Sequence, residues 1–415
     1  MTERLRVMLL LSSLHGGGAE RVAVHLLNRC DPGQFDLRMG LLRRAGPFLA
    51  EADPTRIDAS SVGESLLAFE GRNSSFYRPH KLAAAATIAP VNVARMIRAH
   101  RPHVVMSFLK GMSILTWLVL GGMGKDRPLW IAREGNNTDV VVDDELTNPL
   151  GRALIKGLTR RVYRAADCFL VNSHEMARGL GTRLGLDHRR IRVIHNPIDV
   201  GQVRELARAP VEGAPQRPFI ITVGRLEHQK GHDLLIKAFA ESGAARETDL
   251  VILGQGSREA DLRRQAAAMG VGEHVRFPGF VANPWAWISK ARLFALPSRW
   301  EGFPSVLVEA MACGTPALVT ACDFGPAEMV EHGTSGWVVP PGDATAFAGG
   351  MTQLLSRPDL AAGLAVAAAA RAQLYDVHEM VEAYNALFIE QAAIRRAPHR
   401  TAVPIAAEAA EAAAA

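Results

Sequence analysis

Apolar and polar positions along this chain follow two alternating periods. Short apolar runs at 5–11, 104–108, 129–132 and 168–171 are separated by longer stretches of helical spacing. Runs of this kind, bounded by turn residues, predict strands buried on both faces. A proline-rich stretch at 207–218 interrupts the pattern and reads as a linker. The alternation then restarts, with strands expected at 219–223, 250–253, 274–277, 292–296 and 317–320. Strands alternating with helices predict doubly wound parallel sheets. Two Rossmann-like α/β domains facing a central cleft are expected, at 1–205 and 206–377, followed by a terminal helix at 378–395. A chain of 415 residues is long enough for two such cores. The remainder, 396–415, is mostly alanine and glutamate; it lacks the apolar variety for a core and is expected to be disordered.

The loops that follow these strands carry the chemistry. After 5–11 comes Ser12-Ser13-Leu14-His15-Gly16-Gly17-Gly18, then a helix from about Ala19. Three glycines let a ligand approach the backbone, and the helix start favours a phosphate. The spacing is not the dinucleotide fingerprint, so a tight turn fits equally well, and His15 reads either as a sugar contact or as a surface histidine. After 219–223 comes Gly224-Arg225-Leu226-Glu227-His228-Gln229-Lys230-Gly231. Arg225 as a fork and Lys230 as a point charge can both reach one diphosphate. Cations fixed there would stabilise charge on a departing nucleotide more than they stabilise the ground state. Gly254 and Phe277-Pro278-Gly279-Phe280-Val281 also follow strands, where glycine lets a flat base approach or simply makes a turn.

The most informative segment is 297–316, Pro-Ser-Arg-Trp-Glu-Gly-Phe-Pro-Ser-Val-Leu-Val-Glu-Ala-Met-Ala-Cys-Gly-Thr-Pro. Pro304 fits the first position of a helix of about ten residues, Gly314 its stop and Pro316 the break beyond. The free N–H groups of Phe303, Ser305 and Val306 would favour an anion, and Glu309 further along could accept two hydroxyl hydrogen bonds from a ribose diol. Glu301 and Glu309 could instead serve the helix N-terminus and solvent.

This segment resembles the E-x7-E motif of glycosyltransferase family 4, retaining enzymes of the GT-B fold. Gly224 to Gly231 is similar to that family's G-R-L-x-x-Q-K-G motif, and the likeness extends back to Gly16-Gly17-Gly18-Ala19-Glu20-Arg21-Val22. The resemblance implies that Arg225 and Lys230 hold the donor phosphates and that Glu309 binds the nucleotide ribose. It assigns Glu301, with the Phe303, Ser305 and Val306 amides beside Pro304, to the sugar and its diphosphate. Gly17, Gly18 and Gly224 belong to the same donor site, and Phe280 and Val281 abut the base. It also implies front-face substitution, so Glu301 holds sugar hydroxyls and is not a nucleophile. The chain departs from the family where many members carry an acceptor-side histidine; the corresponding residues here are Arg133, Glu134, Gly135, Asn136 and Asn137.

Charge narrows the partners. Residues 1–200 carry nine more cations than anions, and residues 201–415 four fewer. Arg152, Lys156, Arg160 and Arg164 recur every four residues beside Leu154, Ile155, Leu158 and Val162, which makes a basic edge along an apolar helix face. An ordinary solvated amphipathic helix and an anionic membrane surface are both compatible with it. No apolar run is long enough to span a bilayer, and the apolar N-terminus reads as a first strand with no leader. Four widely spaced cysteines fit reduced thiols in the cytoplasm. Without an Asp-x-Asp spacing or paired cysteines, no metal and no other cofactor is expected. The expected activity is metal-independent, retaining transfer of a hexose or N-acetylhexosamine from a nucleotide sugar, UDP-linked, to a glycan or lipid-linked acceptor for surface glycans. The expected location is cytoplasmic, peripheral on the inner face of the plasma membrane. Nucleotide-sugar epimerases, sugar phosphorylases and a non-catalytic membrane-docked binder remain open alternatives, whereas no nucleic-acid module is recognised.

Overall fold

The computed structural model describes residues 3–15, 17–59 and 79–396. Seven parallel strands form the first sheet in the order β3-β2-β1-β4-β5-β6-β7. They are β1 (Leu5–Leu11), β2 (Phe35–Leu41), β3 (Ile57–Ala59), β4 (Val104–Phe108), β5 (Leu129–Arg133), β6 (Cys168–Val171) and β7 (Ile191–Val193). The second sheet has six parallel strands in the order β10-β9-β8-β11-β12-β13. These are β8 (Phe219–Val223), β9 (Asp249–Leu253), β10 (Val275–Gly279), β11 (Leu293–Leu296), β12 (Ala317–Thr320) and β13 (Trp337–Val339).

The helices of the first part are α1 (Gly18–Arg29), α2 (Pro79–His100), α3 (Leu109–Gly121), α4 (Thr138–Glu145), α5 (Pro149–Ala165), α6 (His174–Leu184) and α7 (Val200–Leu206). Those that follow are α8 (His232–Glu241), α9 (Glu259–Ala268), α10 (Pro284–Ile288), α11 (Ser305–Ala312), α12 (Pro326–Met329), α13 (Ala344–Ser356), α14 (Pro358–Arg371) and α15 (Val377–Arg396).

Alternating side chains on each strand build the layers. Val7, Leu9 and Leu11 of β1 join the core under α1 and α15, while Met8 and Leu10 face α2, α3, α5 and α6. In the second sheet Ile221, Leu253 and Phe294 meet α7, α10 and α11, and Ile220 and Ile252 meet α8, α9 and α13. Burying one such aliphatic side chain contributes roughly 1.5–3 kcal/mol, so both faces of both sheets stabilise the fold. The sequence pattern did not reveal β2, β3, β7 or β13. Of these, β3, β7 and β13 are three-residue strands at sheet edges, too short to give a periodic signal.

Two chain crossings join the halves. The sequence groups 198–205 with the first domain, but Ile198, Val200 and Val203 pack into the second core because the apolar face of α7 lies on α10 and α11. The return crossing pairs with it: the Ile198 N–H donates to Tyr375 O at 3.0 Å, and the Val377 N–H donates to Ile198 O at 2.9 Å. Val377, Val381, Tyr384 and Phe388 of α15 then recur every three or four residues and enter the first core. Helix α15 extends through Arg396; the rest of the tail expected to be disordered, 397–415, lies outside the described residues, as does Gly16. Among the described residues no helix is long and apolar enough to cross a membrane.

Strand order reverses between β1 and β4 in one sheet and between β8 and β11 in the other. Open α/β sheets bind ligands at such points, beyond the carboxyl ends of the strands.

Candidate functional site

Adjacent strands β8 and β11, paired through Leu293 with Ile220 and Phe294 with Ile221, bring two loops together. Gly231, at φ +66°, makes this possible. A Cβ there would lie 2.0 Å from Pro297 O, so only glycine lets the two backbones touch. Across that contact Lys230 Nζ donates to Glu301 Oε1 at 2.7 Å, and Ser298 Oγ donates to the same oxygen at 2.6 Å. Glu301 is buried. It is held by a cation and a hydroxyl and does not cap the helix that follows it. Gln229 fixes the same corner by donating to Trp300 O at 3.0 Å and accepting from Arg225 Nη2 at 3.2 Å. Behind them lies His232, whose Nε2 is 3.2 Å from Arg225 O; burial and the Lys230 charge pull its pKa down to about 4. A neutral imidazole there donates to the loop that carries Arg225.

Helix α11 starts one residue later than the sequence suggests, with Pro304 as N-cap. The three amides expected to be free are not all free. The Ser305 N–H donates to Phe303 O at 2.9 Å, because Pro304 bends the chain into a tight turn, while the Phe303 and Val306 N–H groups have no backbone partner among the described residues. Phe303 is anchored by its ring, which stacks on His195 at 5.5 Å and meets Tyr375 edge-on at 5.5 Å. Burial raises the Glu309 carboxyl above its usual range, and Arg21 of α1, from the first domain, draws it back.

The glycine loop after β1 faces this helix. A Cβ on Gly18 would lie 3.3 Å from Asn196 Nδ2 and 3.7 Å from Ser305 Oγ, so the starts of α1 and α11 converge. Two helix N-termini aimed at one space favour an anion between them. Gly17 is the N-cap of α1, and a Cβ there would crowd the Glu20 carboxylate at 2.6 Å. Burial raises the Glu20 pKa, whereas Arg133 from the first domain and Arg225 from the second lower it. Gly254, at φ +133°, lies beside Gly224; a Cβ on it would meet Gly224 O at 2.0 Å. Nearby, Phe280 is 73% exposed and Val281 half-buried.

The proposed acceptor-side residues separate. Arg133 is buried: its Nε donates to Tyr384 Oη at 2.9 Å and its Nη2 to Asn196 Oδ1 at 2.5 Å, while Nη1 is unpartnered among the described residues. Glu134 departs from the expectation of a cleft contact. Its Oε1 accepts from the Gly135 and Asn136 amides at 2.9 and 3.2 Å and its Oε2 from the Tyr163 hydroxyl, so both oxygens are spent inside the fold. Asn136 is half-buried and caps the Asn137 N–H at 2.9 Å, and His15 is exposed, 3.1 Å from Arg43 Nη2. This loop touches the second domain. A Cβ on Gly302 would lie 1.8 Å from Gly135 O.

Gln229, Asn196 and Tyr384 were missed as supports because each has a partner distant in the chain, and Ser298 was missed although it lies three residues before Glu301. Glu20 was visible as an acid three residues into a helix behind glycines, a position that favours negative charge.

Residues 16–202 match Glycosyltransferase Family 4, and residues 203–371 match Glycosyl transferases group 1. The chain is 28% identical over 262 residues to the N-acetylgalactosamine-N,N'-diacetylbacillosaminyl-diphospho-undecaprenol 4-alpha-N-acetylgalactosaminyltransferase of Campylobacter jejuni, covering 60% of this chain and 71% of that protein. It is 27% identical over 350 residues to the lipopolysaccharide core biosynthesis glycosyltransferase LpsE of Rhizobium meliloti, covering 84% and 88%. The fold is similar to that of Anabaena HepE solved with UDP-glucose, with a TM-score of 0.73 and 18% identity over 93% of this chain and 100% of that one. Together the two matches span residues 16–371 and both parallel-sheet domains, and the chain belongs to the family 4 and group 1 glycosyltransferases of the GT-B fold.

Proposed function

We propose that this enzyme transfers a hexose or N-acetylhexosamine, with retention, from a UDP-sugar to a glycan or lipid-linked acceptor in surface polysaccharide or glycoconjugate synthesis. The observation that carries the reading is the convergence of Lys230, Glu301 and the starts of α1 and α11 at the reversal points of the two sheets. The relatives support the acceptor class, one being named for a diphospho-undecaprenol substrate and one for lipopolysaccharide core synthesis. HepE, solved with UDP-glucose, supports the donor class.

In this reading the C1–O bond to the diphosphate breaks while an acceptor hydroxyl oxygen bonds to C1 on the same face. The acceptor proton passes to the departing phosphate oxygen. Charge that develops on that phosphate meets Arg225, Lys230 and the Phe303 and Val306 amides, a term worth about 3 kcal/mol per well-placed donor. Glu301 holds Lys230 in place and accepts from sugar hydroxyls. Glu309 accepts from the ribose, and its burial is relieved by that hydrogen bonding. No metal ion takes part at the phosphates. Omission of Mg²⁺ and Mn²⁺ should leave turnover unchanged.

UDP release measured across UDP-, GDP- and ADP-sugars, with NMR assignment of the product anomer, tests donor and stereochemistry together. UDP-selective release giving the donor's own anomeric configuration is expected; an inverted product would exclude the retaining route.

The enzyme would work at the inner face of an anionic membrane. Leu150 and Leu154 on α5 are 79% and 72% exposed, one turn apart, with Arg160 and Arg161 also exposed. The basic edge is partly spent within the fold, since Lys156 donates to Asp143 at 2.7 Å and Arg164 to Leu184 O at 2.8 Å. The apolar pair therefore carries most of the contact. Sedimentation with phosphatidylglycerol vesicles at low salt should be lost in Leu150→Ser/Leu154→Ser; wild type that stays in the supernatant would rule the contact out.

A further inference from the structure

Beside the donor loops, three side chains able to ligate a metal converge where the domains meet. His174 opens α6, His195 follows β7, and Glu328 belongs to α12 of the second domain. One ligand atom from each lies within 4.8 Å of the other two. From these residues we infer that the interface holds a Zn²⁺-class divalent ion, bound by two imidazoles of the first domain and the carboxylate of the second.

The imidazole of His195 is set up for ligation. Its Nδ1 is 3.0 Å from Asn172 O, which fixes the proton on Nδ1 and turns the Nε2 lone pair toward Glu328. His195 Nε2 is 3.8 Å from Glu328 Oε1. Tetrahedral ligands at Zn–N and Zn–O lengths of about 2.0–2.1 Å stand roughly 3.3 Å apart, so that pair has to close by a few tenths of an ångström. Glu328 is already oriented, because its oxygens accept from the His174 and Glu175 amides at 3.0 and 3.1 Å. A carboxylate has lone pairs for both amides and an ion. His174 is exposed, which leaves an entry path.

Two imidazoles and one carboxylate favour Zn²⁺ or Co²⁺ over Mg²⁺ or Ca²⁺, which take oxygen ligands. Three protein ligands leave one position for water. The ion would bridge the domains and so favour the closed arrangement in which Gly302 meets Gly135. His195 also stacks on Phe303, which ties the site to the donor loop. By linkage, a donor that closes the cleft tightens Zn²⁺ binding by the same factor that Zn²⁺ tightens donor binding.

Untagged full-length protein, titrated with Zn²⁺ against a chromophoric chelator and with Co²⁺ by visible absorption, tests this. Wild type is expected to take one ion with an intense tetrahedral Co²⁺ band and to melt at higher temperature when saturated. His174→Ala, an exposed change that leaves the fold intact, and Glu328→Gln should each weaken binding about tenfold or more and abolish the band. If wild type and His174→Ala bind Zn²⁺ equally, or if the Co²⁺ spectrum is the weak octahedral one, the inference is overturned.

Discussion

Lys230 and Glu301, 71 residues apart in the chain, meet at 2.7 Å because β8 and β11 are neighbours. A shielded pair of this kind is costly to break from one side. Lys230→Met leaves the Glu301 charge with Ser298 alone and should cost about 3 kcal/mol of stability. Adding Glu301→Gln should recover most of it. Urea unfolding of both singles and the double, read as a double-mutant cycle, checks this; purely additive losses would mean that the pair is not coupled.

Gly302 has an inter-domain role distinct from backbone freedom. Its Cβ would lie 1.8 Å from Gly135 O, and its φ is not among the positive ones, so Gly302→Ala leaves the loop conformation accessible and blocks only the approach of the domains. The variant should unfold like wild type and scatter X-rays as a more open particle, with kcat/KM lowered about a hundredfold by misplaced donor and acceptor. Unchanged scattering with unchanged kcat/KM would contradict this.

Acid should loosen the Arg225 loop. Burial, with neighbouring positive charge second, holds His25 and His232 down to about 4 from an ordinary 6.5. A depressed histidine stabilises fully above the unfolded value, and its contribution is lost as pH falls from 6.5 toward 4. Each is worth a few kcal/mol across that window. The raised carboxyls of Glu20, Glu134 and Glu309 act with the opposite sign, since acid relieves the burial of their charge. The informative quantity is therefore the difference between wild type and His232→Gln, whose melting temperature should fall less between pH 7 and pH 5.

Phe280 is 73% exposed, and its removal should leave stability within about 0.5 kcal/mol. If it borders the nucleotide base, Phe280→Ala raises the donor KM several-fold with kcat little changed, as expected for uniform binding. Steady-state kinetics over donor concentration separates the two parameters.

Much of this arrangement could be read along the chain because it is local. The central strands are continuous apolar runs, and the two donor loops are short segments at strand ends, so Arg225, Lys230, Glu301 and Glu309 stood out together. What stayed hidden depends on distance and exposure. The edge strands β7 and β13 are only three residues long, too short to stand out as strands. Helix α7 precedes the linker and yet packs beyond it, since its apolar face finds α10 and α11. Glu134 looked available, but only the tertiary fold brings the Tyr163 hydroxyl to its second oxygen. His174, His195 and Glu328 have no metal-site spacing and become a cluster only when the domains meet.

If Arg225, Lys230 and Glu309 form one donor site for a UDP-sugar, loss of the cation and loss of the ribose carboxylate change different kinetic parameters. UDP release should be measured for wild type, Lys230→Ala and Glu309→Ala, each with a native near-ultraviolet dichroism spectrum. Turnover in Lys230→Ala, which loses charge stabilisation at the leaving phosphate, should fall at least a hundredfold in kcat, and the donor KM should rise in Glu309→Ala. Wild-type turnover and wild-type KM in both variants would contradict a single donor site.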